Sequence, residues 1–384
     1  MNFSSDEYLL NAGSHSMNAR GVCIKQEKLL KTEFTFKSEA VELLKQLIAI
    51  PSFSREEKGT ADLLEDYLVN KSIAIHRSGN NVWAFNTFYD ANKPTILLNS
   101  HHDTVKPNTG YTKDPFGAEV IEGKLYGLGA NDAGGALVAL MVTFLEFYNE
   151  KELPWNLIFA ATAEEEISGK EGIEKVLPDL GKIDLAIVGE PTLMELAVAE
   201  KGLLVLDCAA KGMSGHAARN EGENAIYKAM KDINWFENYH FPKISETLGP
   251  VHMNVTQIQA GTQHNVVPDN CSFVVDIRVT DAYTHEEVLE IIKLYTRCEV
   301  RPRSVRLKPS GIDKNHPIVK VAEEMNMRTY GSPTLSDQAL IPYPSVKIGP
   351  GDSARSHSAD EFIYIQEIEE GVELYKRILS KLTL

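Results

Sequence analysis

Thr95-Ile-Leu-Leu-Asn99 is a continuous strand-like run that leads directly into Ser100-His-His-Asp103. Side chains two apart on an extended segment point the same way, so His101 and Asp103 face one side and His102 the other. The same grammar recurs downstream. Asn156-Leu-Ile-Phe-Ala-Ala-Thr162 ends at Ala163-Glu-Glu-Glu166, and Asp184-Leu-Ala-Ile-Val188 ends at Gly189-Glu-Pro-Thr192. Between these buried strands lie helical patterns, at about 56–70 and at 133–148, with a further one capped by Ser38. Alternating buried strands and helices predict an α/β sheet covered on both faces. In such sheets ligands bind beyond the carboxyl ends of the strands, where three of these polar motifs fall.

Two more motifs complete the set: Gly129-Ala-Asn-Asp132 in a glycine-rich turn, and Ser356-His-Ser-Ala-Asp-Glu361 after the Ile348-Gly-Pro-Gly turn. Each has an ordinary reading when taken alone. A single His-x-Asp is a packed loop histidine, Asp132 is an N-cap for the helix that follows, and Glu164 to Glu166 form a solvated acidic loop. Taken together they supply two histidines and several carboxylates. Adjacent carboxylates repel one another, and cations offset that repulsion. One aspartate can bridge two metals about 3.5 Å apart. Asp103 can take the hydrogen of the second nitrogen of His101 and so fix its tautomer. Imidazole with carboxylate oxygen suits zinc, cobalt or manganese better than calcium.

The rest of the chain sets bounds. At 384 residues with 43% hydrophobic residues, two domains are expected. Its 39 basic and 54 acidic residues leave a net charge of −15, which argues against a nucleic-acid partner. The four cysteines (Cys23, Cys208, Cys271, Cys298) are scattered without a CxxC pair, which suits a reducing cytoplasm. The apolar run Leu137 to Leu145 is too short to span a bilayer, so no membrane association is expected. Residues 1–30 lack the apolar core of a signal peptide and read as a flexible extension. From Gly202 the pattern changes to strand 203–210, helix 221–235, strand 253–259, strand 272–280, helix 284–297 and strand 300–307. That β-α-β-β-α-β order predicts a ferredoxin-like α+β insertion at 202–307. It would interrupt a catalytic domain made of 31–201 and 308–384.

Over residues 38–384 the chain resembles the M20 family of cocatalytic metallohydrolases, in its acetylornithine deacetylase and succinyl-diaminopimelate desuccinylase branch. The stretches quoted above carry the resemblance, along with Glu200-Lys-Gly202, Gly215-His-Ala217 and Gly261-Thr-Gln-His-Asn265. The resemblance implies a zinc-exopeptidase-like catalytic domain, a mixed sheet covered by helices, with the insertion serving as a dimerisation lid. It implies that His101, Glu190 and Asp132 hold one metal, zinc first, and that Asp132, Glu166 and His357 hold the other. It further implies Glu165 as general base, Asp103 as the support of His101, and a cis peptide after Asp132. His216 would reach the site of a partner subunit in a homodimer, and Arg278 with Asn265 would bind a substrate carboxylate. By residue type alone, Arg278 reads first as a strand-edge salt bridge to Asp276 or Asp281. Family deacylases tend to carry Glu at the position of Glu190, where peptidases tend to carry Asp. The expected activity is therefore removal of an acyl group from an N-acyl amino acid in arginine biosynthesis, N-acetylornithine first, with N-acetylcitrulline and N-succinylornithine open. A dipeptidase or carboxypeptidase, and a non-catalytic amino-acid-binding relative, are the alternatives.

Overall fold

The computed structural model describes residues 38–219 and 221–384. The expected extension at 1–30 and Cys23 lie outside them, while Ser38, read as the cap of the first helix, lies within that helix. Nine strands form the main sheet. Its centre is Asn156–Thr162, Thr95–His101, Leu185–Val188 and Ser345–Lys347, each parallel to its neighbour. Every residue of these four strands is buried, which is why the first three read as largely apolar runs rather than alternating ones. Antiparallel pairing of Asn81–Phe85 with 156–162 makes the sheet mixed. One face is covered by the helices 38–48, Lys58–Asn70, Gly135–Phe147 and Ile365–Lys381, the other by Ile173–Leu180.

The segment Ala130–Phe147 is apolar enough to pass for a membrane span, a test the shorter run 137–145 did not meet. Most of it is buried in the core, and every residue from Gly135 to Phe144 is covered. A helix that is apolar all round belongs between layers of a core, and this one lies between the sheet and the last helix.

A second sheet runs His252–Ala260, Asn270–Val279, Gly202–Lys211, Glu299–Pro302 in spatial order, all antiparallel. With helices Ala225–Asn238 and His285–Tyr295 on it, this is the ferredoxin-like arrangement. Its core (Leu204, Leu206, Phe236, Phe273, Val275, Ile277 and neighbours) is separate from that of the main sheet. Two boundaries differ from the sequence reading by four residues or more. The first helix starts at Ala225 rather than 221, because the Asn224 side chain accepts the Ile226 N–H and caps it there. The last strand stops at Pro302 instead of continuing to 307, although the Arg303 N–H still donates to the Val205 carbonyl of the neighbouring strand.

Two buried charges meet at the edge of the main sheet. Lys347 Nζ lies 3.1 Å from Glu200 Oε2, and both side chains are almost fully covered. Glu200 also accepts the Ser336 hydroxyl, and Lys347 donates to the Thr334 carbonyl, so the pair pins loop 332–337. Lys347→Met leaves Glu200 buried without its cation. The expected cost is about 3–5 kcal/mol, read as a lower urea midpoint at unchanged slope. A variant as stable as the parent would show that the pair does not hold this edge.

Candidate metal centre

The four parallel strands end at one edge of the sheet, and the ligand candidates collect there. His101 is the last residue of its strand and is 1% exposed on its side chain. The loop after 156–162 carries Glu165 and Glu166, Glu190 follows 185–188, and the loop after Ser345–Lys347 leads to His357. Asp132 comes from a tight turn over Ala130–Gly134 that precedes the helix, with a cis peptide between Asp132 and Ala133. Asp132 therefore does not cap the helix, which begins at Gly135.

Glycine is required at the approach to this turn. Gly129 sits at φ +75°, and a Cβ there would lie 2.5 Å from the Thr104 methyl.

Two donor sets emerge: His101, Asp132 and Glu190, and Asp132, Glu166 and His357, with donor atoms in each set within 4.8 Å of one another. Asp132 is common to both. His101 Nε2 lies 3.5 Å from Asp132, 3.7 Å from Glu190 and 3.9 Å from Glu165. His357 Nε2 lies 2.9 Å from Glu166 and 3.7 Å from Asp132, on a side chain that is 55% exposed. The second set is thus the one open to solvent.

The chemistry of the cluster asks for cations. His101 Nε2 is buried and has no hydrogen-bond partner. Burial, then the charges of Glu190, Asp337 and Glu166, hold the Glu165 carboxyl well above its usual range. Burial first, with Asp132 and Glu166 adding to it, pushes Glu190 up to about 8. An orphaned imidazole nitrogen amid crowded carboxylates fits two divalent cations, with Asp132 between them.

The supports differ in part from expectation. His101 Nδ1 lies 3.0 Å from the backbone carbonyl of Asp103 and 3.4 Å from its carboxylate, so the carbonyl is the nearer acceptor. The Asp103 carboxylate instead accepts Ser54 Oγ at 2.7 Å and the backbone N–H groups of Glu165 and Glu166 at 3.0 and 3.2 Å. Glu165 and Glu166 are not extended. They open a short 3-10 turn after Glu164, which is left-handed at φ +56°. That turn lets both side chains face the cluster.

His102 is a strut. Its Nε2 lies 2.8 Å from the Asn80 carbonyl, which can only accept, so Nε2 carries the hydrogen and Nδ1 accepts from Thr60 Oγ1 at 2.9 Å. Burial pulls its pKa down to about 4, consistent with a neutral ring. Glu361 was quoted in a motif without a role, yet its Oε1 accepts the N–H groups of Asn131 and Asp132 at 2.8 and 3.0 Å. Asp337 accepts from Asn99 and Thr162 beneath the cluster.

The other candidates lie apart from this cluster. His216 is exposed on the short strand Gly215–His216, which pairs with Val266–Val267. The Ala217 N–H donates to the Asn265 carbonyl, so His216 and Asn265 are neighbours. No hydrogen bond or ion pair among the described residues joins either to the cluster. Arg278 forms a two-pronged pair with Asp276, at 2.8 and 3.0 Å, which is the salt-bridge reading.

Buried strands ending in a shared two-cation donor set define a metal-dependent amide hydrolase. The chain belongs to peptidase family M20/M25/M40, whose model matches residues 97–381. It is 30% identical to a LysW-lysine/LysW-ornithine hydrolase of Sulfurisphaera tokodaii, over 89% of this chain and 95% of that one. It is 26% identical to succinyl-diaminopimelate desuccinylase 2 of a Ruegeria species, over 89% and 94%. The fold is shared with an M20 family metallo-carboxypeptidase of Sulfolobus solfataricus at TM-score 0.71 and 18% identity, covering 89% of this chain and 99% of that one.

Proposed function

We propose that the chain is an N-acyl-amino-acid amidohydrolase, with N-acetylornithine as the first candidate substrate and arginine biosynthesis as its setting. N-acetylcitrulline and N-succinylornithine belong to the same class. The observation that carries the reading is the Glu165 carboxyl beside His101, next to both donor sets yet in neither. Relatives whose names describe removal of an acyl or carrier group from a diamino acid support it.

On this reading His101, Asp132 and Glu190 hold one cation, and Asp132, Glu166 and His357 the other. Zinc suits the donors, with cobalt or manganese as substitutes. The bound pair would polarise the amide carbonyl and bring the pKa of water down to about 7. Glu165 takes the proton of the attacking water and delivers it to the nitrogen of the leaving amine. Asp103 keeps the base and Glu166 in register through their backbone amides.

His216 is the proposed oxyanion donor, supplied by a second copy of the chain. Two features support a homodimer. The outer edge of strand His252–Ala260 pairs with no strand among the described residues, and Ile258 on it is 58% exposed. Arg278 and Asn265 complete the reading as substrate-carboxylate contacts, for which the Arg278 fork must leave Asp276.

The test is a panel of N-acyl amino acids and dipeptides, assayed after chelation and again with zinc or cobalt restored. Acyl-ornithines or acyl-citrullines are expected to turn over only with metal, and chelation is expected to lower the thermal midpoint. Dipeptides turning over faster than every acyl amino acid would replace this reading with a peptidase. Turnover that survives complete metal removal would overturn the roles given to the ligands.

A further inference from the structure

The loop that carries Glu165 rests on side chains rather than on a neighbouring strand. Four consecutive backbone N–H groups, from Ala163 to Glu166, each meet a side-chain acceptor. Asn81 Oδ1 takes Ala163 at 3.0 Å, Glu57 Oε1 takes Glu164 at 3.2 Å, and the two Asp103 oxygens take Glu165 and Glu166. Glu57 is the unexpected member. It is wholly buried and occupies the N-cap position of helix Lys58–Asn70, where a carboxylate would ordinarily cap the helix beginning there. Its side chain makes no such bond. It turns instead to the amide of Glu164, the left-handed residue that leads into the turn carrying Glu165 and Glu166.

Glu57 is itself held. Its carbonyl accepts the Ala61 N–H and lies 2.9 Å from Thr60 Oγ1, which contacts the neutral ring of His102. The strut that fixes His102 beside the ligand His101 therefore also fixes the acceptor beneath the base loop.

We propose that Glu57 is a positioning residue for the reaction: its Oε1 holds the left-handed turn at Glu164 and thereby aims the Glu165 carboxylate. The proposal rests on the reading of Glu165 as the base. A displacement of about 1 Å at a reacting group can cost about 100-fold in rate. A lost acceptor in a loop still held by Asp103 and Asn81 is expected to cost less.

Glu57→Met fills a similar volume and has no acceptor oxygen there. It is expected to lower kcat about tenfold, with KM within about twofold and both metals retained. Glu57→Gln keeps the acceptor and is expected to restore kcat to within about twofold of the parent. The parallel variant Glu57→Asp, one methylene short, withdraws the oxygen and is expected to behave like Met, so the comparison survives if the Met variant does not fold. The proposal fails if Met and Asp keep the parental kcat, if Gln loses as much as Met, or if the loss follows metal content. Glu165→Gln remaining active would instead remove the base on which the proposal rests, a result that the Glu57 variants cannot mimic.

Discussion

Glu165→Gln is expected to retain both cations and to lower kcat by roughly 10³–10⁴-fold. Glutamine matches the shape of glutamate but cannot carry a proton from water to the leaving nitrogen. Glu165 belongs to neither donor set, so metal content should not change. The buried carboxylates around it make a further outcome measurable. Glu190, Asp337 and Glu166 all raise its proton affinity, so removing its charge eases the crowding. The variant should therefore be at least as stable as the parent when free of metal. Metal stoichiometry and kcat together decide the matter: full activity with full metal content would show that another group moves the proton.

Mixing two inactive variants is the second large effect. His216→Ala should lose roughly 10²–10³-fold in kcat, the usual cost of one oxyanion donor. If His216 serves the site of a second copy, exchange of its subunits with Glu165→Gln subunits rebuilds intact sites. Hybrids in a symmetric dimer then recover roughly a quarter of the parental rate, because half the dimers are mixed and each has one complete site. No recovery after proven exchange would place His216 in its own subunit's site or outside catalysis. Its exposure, and the lack of any bond from it to the cluster among the described residues, are what make sharing between copies the reading to test.

Several details show where sequence patterns stop informing. Residue type alone favoured a salt bridge for Arg278 and the family resemblance a substrate contact, and the fold pairs it with Asp276, two residues away on the same face of one strand. Glu57 and Asn81 had no motif because their partners are backbone amides, present at every position and invisible in a list of side chains. Glu361 stood in a quoted motif, but its role depends on which two N–H groups the Asp132 turn presents to it.

From the order of residues came the covered α/β core and the inserted second sheet, and from the resemblance to the M20 family came the identities of both donor sets. Strands covered on both faces favour apolar residues, and a cation needs its carboxylates and imidazoles wherever they fall in the chain. Only the folded molecule decided how Glu165 is aimed, which acceptor steadies His101, and that His216 stands clear of its own cluster. Those outcomes are set by distances between backbone groups far apart in sequence, which packing alone brings together.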